Sequence, residues 1–483
     1  MLNFPQDFFK SELRNDFQVS EIMKRCWAAQ IKIMYEIDQL CRRHSITYYA
    51  FYGTLLGTIR HQGFIPWDDD VDFAFKKDDY VKFLQYAQEE LSDHLTILNI
   101  YTDDEWNDIF SRVINIPTIN IADEFVDEWY GFPFSVGVDL FPLNYIPRDA
   151  EAASMQVKLL KMIGTVSSII EYQNGRTGTE ADYAEVNTAI AEHLVQLEHF
   201  TGYYFDTDRP ILKQLDILYD QLGSLYDESE SDYLTFIPKY IEKGVKYPKQ
   251  WFTEALQKPF ENISLSVPNG YDAILTYIYK NYMNPWKGGA AHDYPYFKED
   301  LNRIGETMET MDLMSKLGVE GDLSFRIDKE ERFLSESEIR SNVPDEWADM
   351  ILGDSGGERK KILFYYTGAA ALLANAQRAV KKIKWVIDSV SKDGRYVLWW
   401  FPCSLDIPDL SVVKKMMPDF TEEYQTLIEE FKQQQLGICD ESGDLERALK
   451  VCDLFYGDKG VVESLFEQAG KPVMIENYGI MEA

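Results

Sequence analysis

Residues 48–75 read YYAFYGTLLGTIRHQGFIPWDDDVDFAF. From Asp70 to Phe75 acidic and apolar side chains alternate before the run turns fully apolar. Residues two apart on a strand share a face, so the pattern predicts a half-buried strand over Asp70–Phe75 with Asp70 and Asp72 pointing into one space. Paired carboxylates raise each other's pKa unless a cation neutralises them. Oxygen-only ligands at this density suit Mg2+ or Mn2+, and a cation so held can stabilise charge on a transferring phosphoryl group. The competing reading is a solvated acidic turn, Trp67-Asp68-Asp69-Asp70, with no chemistry attached.

Upstream, Ile46–Tyr52 is β-rich, and Gly53-Thr54 leads into a predicted helix over Leu55–His61. A glycine and a hydroxyl at a helix N-terminus can hold a phosphate through backbone N–H groups. A third acid, Asp139, sits inside the apolar strand predicted over Val136–Phe141, ended by Pro142. An unpaired carboxylate there is costly. Either it joins Asp70 and Asp72 around a cation, or it is a buried Asp bonded to backbone N–H groups. Arg60, about two helical turns beyond Gly53, and Arg112, in a strand predicted over Ile109–Asn115, can each clamp a phosphate or serve a structural ion pair. Trp67 and Tyr52 can stack on a base or a cationic head group, or belong to the core.

Outward from this stretch, Ser20–His44 carries apolar residues at three- and four-residue steps, so it reads as an amphipathic helix. Lys77–Leu91 reads as a helix, Ile119–Asp123 as a strand, and Met155–Leu222 as long and helical with a polar break near Gly175–Gly178. Residues 301–357 are acidic and glycine-broken, which predicts a linker or insertion. Beyond them strands are expected at Lys360–Tyr366, Tyr396–Phe401, Leu454–Tyr456 and Pro472–Ile475. Helices alternate with them at Ala369–Ser391, Phe420–Gln435, Leu445–Cys452 and Val461–Ala469, the signature of a parallel α/β sheet.

The bulk properties narrow the partners. The 483 residues include 81 acids against 48 Lys and Arg, a formal net charge of −33, which makes nucleic acid an improbable partner. Five cysteines without a C-x-x-C pair point to free thiols in a reducing compartment. The N-terminus lacks a signal-peptide layout, and no run approaches the roughly 20 apolar residues of a transmembrane helix. The expectation is a cytoplasmic protein, able to act at the inner membrane face on a lipid-linked substrate.

These residues resemble the LicD/fukutin family. The resemblance is carried by Tyr52-Gly53-Thr54-Leu55-Leu56-Gly57, by Arg60-His61, by Phe64-Ile65-Pro66-Trp67-Asp68-Asp69-Asp70-Val71-Asp72, by Asp139-Leu140-Phe141-Pro142 and by Val267-Pro268-Asn269-Gly270-Tyr271-Asp272, with His292–Tyr296 completing it. It spans roughly Ser20 to Phe297. One departure stands out: the family often has Tyr-Gly-Asp-Tyr where this chain has Tyr279-Lys280-Asn281-Tyr282. The resemblance implies an α+β nucleotidyltransferase (polymerase-β-like) catalytic domain with helical additions over residues 1–300. It implies transfer of phosphocholine or a related phospho-alcohol from a CDP-linked donor to a glycan such as teichoic acid, capsule or lipopolysaccharide. By it Asp70, Asp72 and Asp139 are metal ligands, Asp68 and Asp69 either support those ligands or add to them and are the candidates for a catalytic base, Gly53 and Thr54 lie near the donor phosphates, and His292 is a substrate-binding candidate.

After the linker at 301–357, residues 358–483 resemble the Rossmann-like nucleotide-sugar half of GT-B transferases, through Tyr456-Gly457-Asp458-Lys459-Gly460 and Gly470-Lys471-Pro472-Val473-Met474. An Arg-Pro-His-Pro-type segment of those enzymes stands here as Trp400-Phe401-Pro402-Cys403, without the histidine. Two rival functions remain: a non-catalytic glycan-binding or assembly protein, and a nucleotidylyltransferase of the same fold.

Overall fold

A computed structural model describes residues 2–174, 184–285, 294–317, 334–353, 359–405 and 412–478. The chain forms two compact units, one from residues 1–118 and 135–291, the other from residues 119–134 and 292–483. All five cysteines are free.

After a short antiparallel hairpin, Glu12–Arg14 with Phe17–Val19, the first unit continues with α1 (Glu21–Arg43), whose Ser20 cap accepts a hydrogen bond from the Met23 N–H. Its periodic stripe, Ile22, Cys26, Ala29, Ile33, Ile37 and Leu40, is buried. Then come β1 (Tyr48–Ala50), α2 (Tyr52–Arg60), β2 (Asp72–Lys76), α3 (Lys77–Glu90), β3 (Thr96–Leu98) and β4 (Ser111–Ile114). The expected strand at Ile119–Asp123 is not formed. Asn120 Oδ1 accepts from the Ala122 N–H in a side-chain turn, and α4 (Asp123–Glu128) starts at once. The strand β5 (Gly137–Pro147) follows, running well past the proline expected to end it.

The helical stretch is three helices, α5 (Ala150–Asn174), α6 (Ala184–Thr201) and α7 (Ile211–Gly223); the break expected at Gly175–Gly178 lies outside the described residues. The unit ends with β6 (Ser231–Thr235), α8 (Ile237–Lys243), β7 (Tyr247–Pro248), the hairpin β8 (Ala255–Phe260) and β9 (Ile263–Pro268), and α9 (Tyr271–Tyr279). The main sheet has the order β1-β2-β5-β4-β3, with β6 on the far half of β5 and β7 on β6. Only the β2–β5 pairing is parallel.

The second unit takes α4 from inside the first stretch: Lys415 pairs with Asp123 and Asp127 at 2.9 and 2.7 Å. The region expected to be irregular contains α10 (Lys298–Leu317), α11 (Glu336–Asn342) and α12 (Asp345–Leu352). Its acids were a poor guide, because α11 carries a full capping box between Ser335 and Glu338. After them come β10 (Lys361–Thr367), α13 (Ala369–Asn375), α14 (Gln377–Ser391), β11 (Tyr396–Pro402), α15 (Val412–Met416), α16 (Pro418–Gln433), β12 (Ile438–Cys439), α17 (Leu445–Val451), β13 (Leu454–Gly457), α18 (Val461–Gln468) and β14 (Val473–Ile475). The single helix expected over Ala369–Ser391 is broken at Ala376, whose φ is +42°.

The sheet is all parallel in the order β12-β11-β10-β13-β14, so the chain winds outward from β10 in both directions. In open parallel sheets a crevice opens at the carboxyl ends where that direction reverses. Here α10 occupies those ends. A Cβ on Gly305 would lie 2.3 Å from the Ala370 Cα, and one on Gly368 would lie 2.4 Å from Glu309 Oε2. Farther along α10, Asp312 accepts from the Ser404 N–H and Lys316 donates to the Pro402 carbonyl.

Candidate active site

The register of the first sheet decides the geometry. Asp72 on β2 is paired with Asp139 on β5, and Asp139 with Arg112 on β4. Directly paired residues share a face, so Asp72, Asp139 and Arg112 form a row across three strands. Arg112 donates Nε to Asp139 Oδ1 and Nη2 to Oδ2, the latter at 2.9 Å, a two-pronged bond. Arg112 also lies over the Trp106 and Phe110 rings. Its role here is to hold Asp139, the structural alternative left open above.

The strand begins at Asp72, not Asp70. The Asp68 N–H bonds the Ile65 carbonyl in the turn before it, and the Asp72 N–H donates to Thr54 Oγ1 at 2.8 Å. Thr54 is therefore buried and ties α2 to the start of β2; it is not on the cavity wall. Gly53 is on that wall, where a Cβ would stand 2.5 Å from Asp68 Oδ2. Any side chain at 53 would drive Asp68 away. Asp69 is turned into the core, with its carbonyl accepting from Gln30 Nε2.

Asp68, Asp70, Asp72 and Asp139 line one cavity of about 940 Å³, together with Tyr52, Trp67, Arg60, Phe141, Phe236, Lys239 and the Ile278–Tyr282 turn. Burial, then the charges of Asp70, Asp139 and Asp68, hold the Asp72 carboxyl well above its ordinary range, with Arg112 opposing. Burial, then Asp70 and Asp69, push Asp68 up to about 8, and Asp68 shares a hydrogen bond with Asp70. The Tyr279 hydroxyl is raised by burial and then by Asp72, Asp68 and Asp70. Arg60, for which a phosphate clamp and a structural ion pair were both open, lines the cavity and donates Nη1 to the Tyr282 carbonyl at 2.9 Å. Tyr52, with φ +38°, packs edge-on against Phe141. Trp67 packs edge-on against Phe17 and His61. His292 lies outside the described residues.

Does this set suit a divalent cation? The donors do: carboxylate oxygens crowd together, with Asp72 and Asp68 raised by burial and by the neighbouring acids, and with Arg112 as counter-charge. Among the described residues, no three carboxylate, imidazole or thiolate groups already stand as a formed metal site. Asp70, Asp72 and Asp139 would be the holding residues.

Sequence reasoning missed Phe141, Phe236, Lys239, Tyr279 and Asn281 as cavity residues. Phe141 lay inside the Asp139–Pro142 motif, and Tyr279 and Asn281 inside the Tyr279–Tyr282 motif; Phe236 and Lys239 lay in none. A larger cavity of about 1060 Å³, between α5, α6, α7 and α8, is lined by Leu160, Ile169, Tyr172 and Tyr219 and holds no carboxylate.

A mixed α/β unit with a carboxylate-centred cavity is the class this architecture defines. Residues 45–145, which carry all four aspartates, match the LicD/FKTN/FKRP nucleotidyltransferase-domain family. The chain is 28% identical over 259 residues to the lipopolysaccharide cholinephosphotransferase LicD of Haemophilus influenzae, covering 52% of this chain and 88% of that protein. Shorter similarities, 41% and 39% identical over 54 residues, reach uncharacterised proteins of Rickettsia typhi and Rickettsia prowazekii, covering 18% and 20% of their lengths. Residues 45–145 thus form a domain similar to those of the LicD/fukutin family, within a longer stretch similar to LicD. No helix among the described residues is long and apolar enough to cross a membrane.

Proposed function

We propose that the first unit is a metal-dependent transferase of nucleotidyltransferase fold that moves a phosphorylated alcohol, phosphocholine or a relative, from a CDP-linked donor to a cell-surface glycan. The observation that carries the reading is the row Asp72–Asp139–Arg112, with Asp70 and Asp68 in the same cavity. The similarity to a cholinephosphotransferase supports it. A bound Mg2+ or Mn2+ would supply Lewis-acid stabilisation of charge on the phosphoryl oxygens.

The chain's own residues do the rest. Thr54 fixes the backbone of Asp72, and Arg112 fixes both oxygens of Asp139, so the acids are set before substrate arrives. Gly53 gives Asp68 room at the start of α2. Asp68, on the cavity wall beside Asp70, is the carboxylate placed to take the proton that an attacking sugar hydroxyl gives up, a role for its deprotonated form. Asp69, facing the core, is not. We also propose that the second unit is the Rossmann-like, GT-B-half module of the resemblance, serving as a scaffold, because α10 fills the crevice a ligand would use.

The test is transfer of label from CDP-choline, and from CDP-linked polyols, to a lipopolysaccharide or teichoic acid acceptor with magnesium. Release of CMP supports the reading. Release of diphosphate would move it to nucleotidylyl transfer, and cytidine nucleotide binding without turnover to an assembly role.

A further inference from the structure

The acid-lined cavity also has a basic contingent. Arg60, Lys239 and Lys280 line it, in a chain whose acids outnumber Lys and Arg 81 to 48. Arg60 is committed to the Tyr282 carbonyl and so fixes the turn that carries Lys280. Among the described residues the two lysines have weak, exposed partners, Lys280 also lying 5.9 Å from the Tyr277 ring. Lys239 pairs with Glu242 at 3.2 Å, four-tenths or more of each side chain being exposed. Lys280 donates to the Tyr277 carbonyl at 3.2 Å. Neither is spent on a cavity carboxylate, and exposed contacts of this kind are easily exchanged for a ligand.

Lys280 is also held in an unusual conformation. At the end of α9 its backbone has φ +61° and ψ −109°. Glycine adopts such angles freely; a side chain does so against steric resistance. Strain that a glycine would relieve, kept at a cavity wall by a residue with a long cationic side chain, points to a use for that side chain.

We propose that Lys239 and Lys280 form an anion subsite, at which the substrate presents a phosphate or carboxylate besides the phosphoryl group being transferred. The anion belongs either to the rest of the donor diphosphate or to an acidic group on the acceptor. The subsite disfavours a quaternary ammonium at this side of the cavity. Its link to transfer rests on the reaction proposed above; the subsite itself rests on the cavity lining.

The experiment uses the full-length protein and calorimetric titration with inorganic phosphate in EDTA, then with CDP in magnesium. Lys239→Gln and Lys280→Gly should each weaken phosphate binding about 5–10-fold and together more than about 30-fold, while Lys280→Arg stays within about threefold. Melting temperatures check the fold, and Lys280→Gly should melt no lower than the parent because glycine accepts the angles. CDP affinity falling in step assigns the anion to the donor; CDP affinity unchanged assigns it to the acceptor. Parent protein that binds no phosphate, or a double variant that binds it as the parent does, overturns the subsite. Absence of transfer from every CDP-alcohol, with the lysine effects intact, would instead sink the reaction and leave the subsite standing.

Discussion

Each unit carries a group of buried, raised carboxylates, and the two groups are built differently. In the second unit, Asp458 accepts from the Gly368 N–H and the Tyr478 hydroxyl, while Glu476 accepts from Tyr365, Thr367 and Tyr478. Burial pushes Asp458 up to about 7, and those bonds pull against the rise. In the first unit, Asp72 is raised by burial and by three neighbouring acids, with Arg112 alone pulling down among its main influences. Buried polar groups are normally satisfied by hydrogen bonds, and the second group follows that rule as part of a closed end of a sheet. The first leaves mutual repulsion in place beside an open cavity, the arrangement associated with functional sites.

The contrast can be broken most directly by neutralising one acid from each group. Asp72→Asn should lower label transfer by about a thousandfold or more, the scale of removing a group that stabilises transferring charge. Asp458→Asn should leave it within about threefold. Equal losses would mean the two groups are not functionally distinct.

Two close-approach glycines sharpen the comparison. Gly305→Ala should lower unfolding stability by about 1–3 kcal/mol in denaturant titrations, since the new methyl meets the backbone of Ala370. This reverses the usual gain of about 1 kcal/mol for Gly→Ala inside a helix. Gly53→Ala meets only the movable carboxylate of Asp68. It should leave the denaturation midpoint nearly unchanged and depress turnover instead.

Thr54→Val keeps the shape and leaves the Asp72 N–H without its acceptor. A loss of about 1–3 kcal/mol is expected, with kcat falling and the KM for donor little altered.

The smallest effect is in pH dependence. The folded pKa of Asp458, about 7, lies above an unfolded value of about 4. Between those values the folded state holds a proton that the unfolded state has lost. Stability from this group is therefore highest at the acid end and declines as pH rises from about 4 to about 7. Asp458→Asn should flatten that part of a melting-temperature profile; an unchanged slope would place the titration elsewhere.

Much of this was legible from local pattern. The α1 stripe is a 3.6-residue signal, and the tail's alternating strands and helices lie within a few residues of their expected bounds. The acids at 70, 72 and 139 do share a cavity. Pairing partners were not legible. Arg112 and Asp139 were each singled out, yet nothing in either segment announces the register that joins them. Pro142 was expected to end its strand, but it lies past the last residue of β5 paired with β4, Leu140, and before the first paired with β6, Asn144. No ladder N–H is needed from it on that edge. Lys239 and Phe236 come from a segment with no motif at all and reach the cavity only through the chain's topology.

The path of the backbone between β4 and β5 has a consequence for heredity. The polypeptide passes from one unit to the other at three places, 118/119, 134/135 and 291/292. Cutting the gene near codon 292 would therefore not release a clean N-terminal enzyme. It would strand α4 and the buried Trp129, Phe132 and Phe134, along with the stacking of Phe134 on Phe297. A clean separation would have to take residues 119–134 out of the first stretch as well.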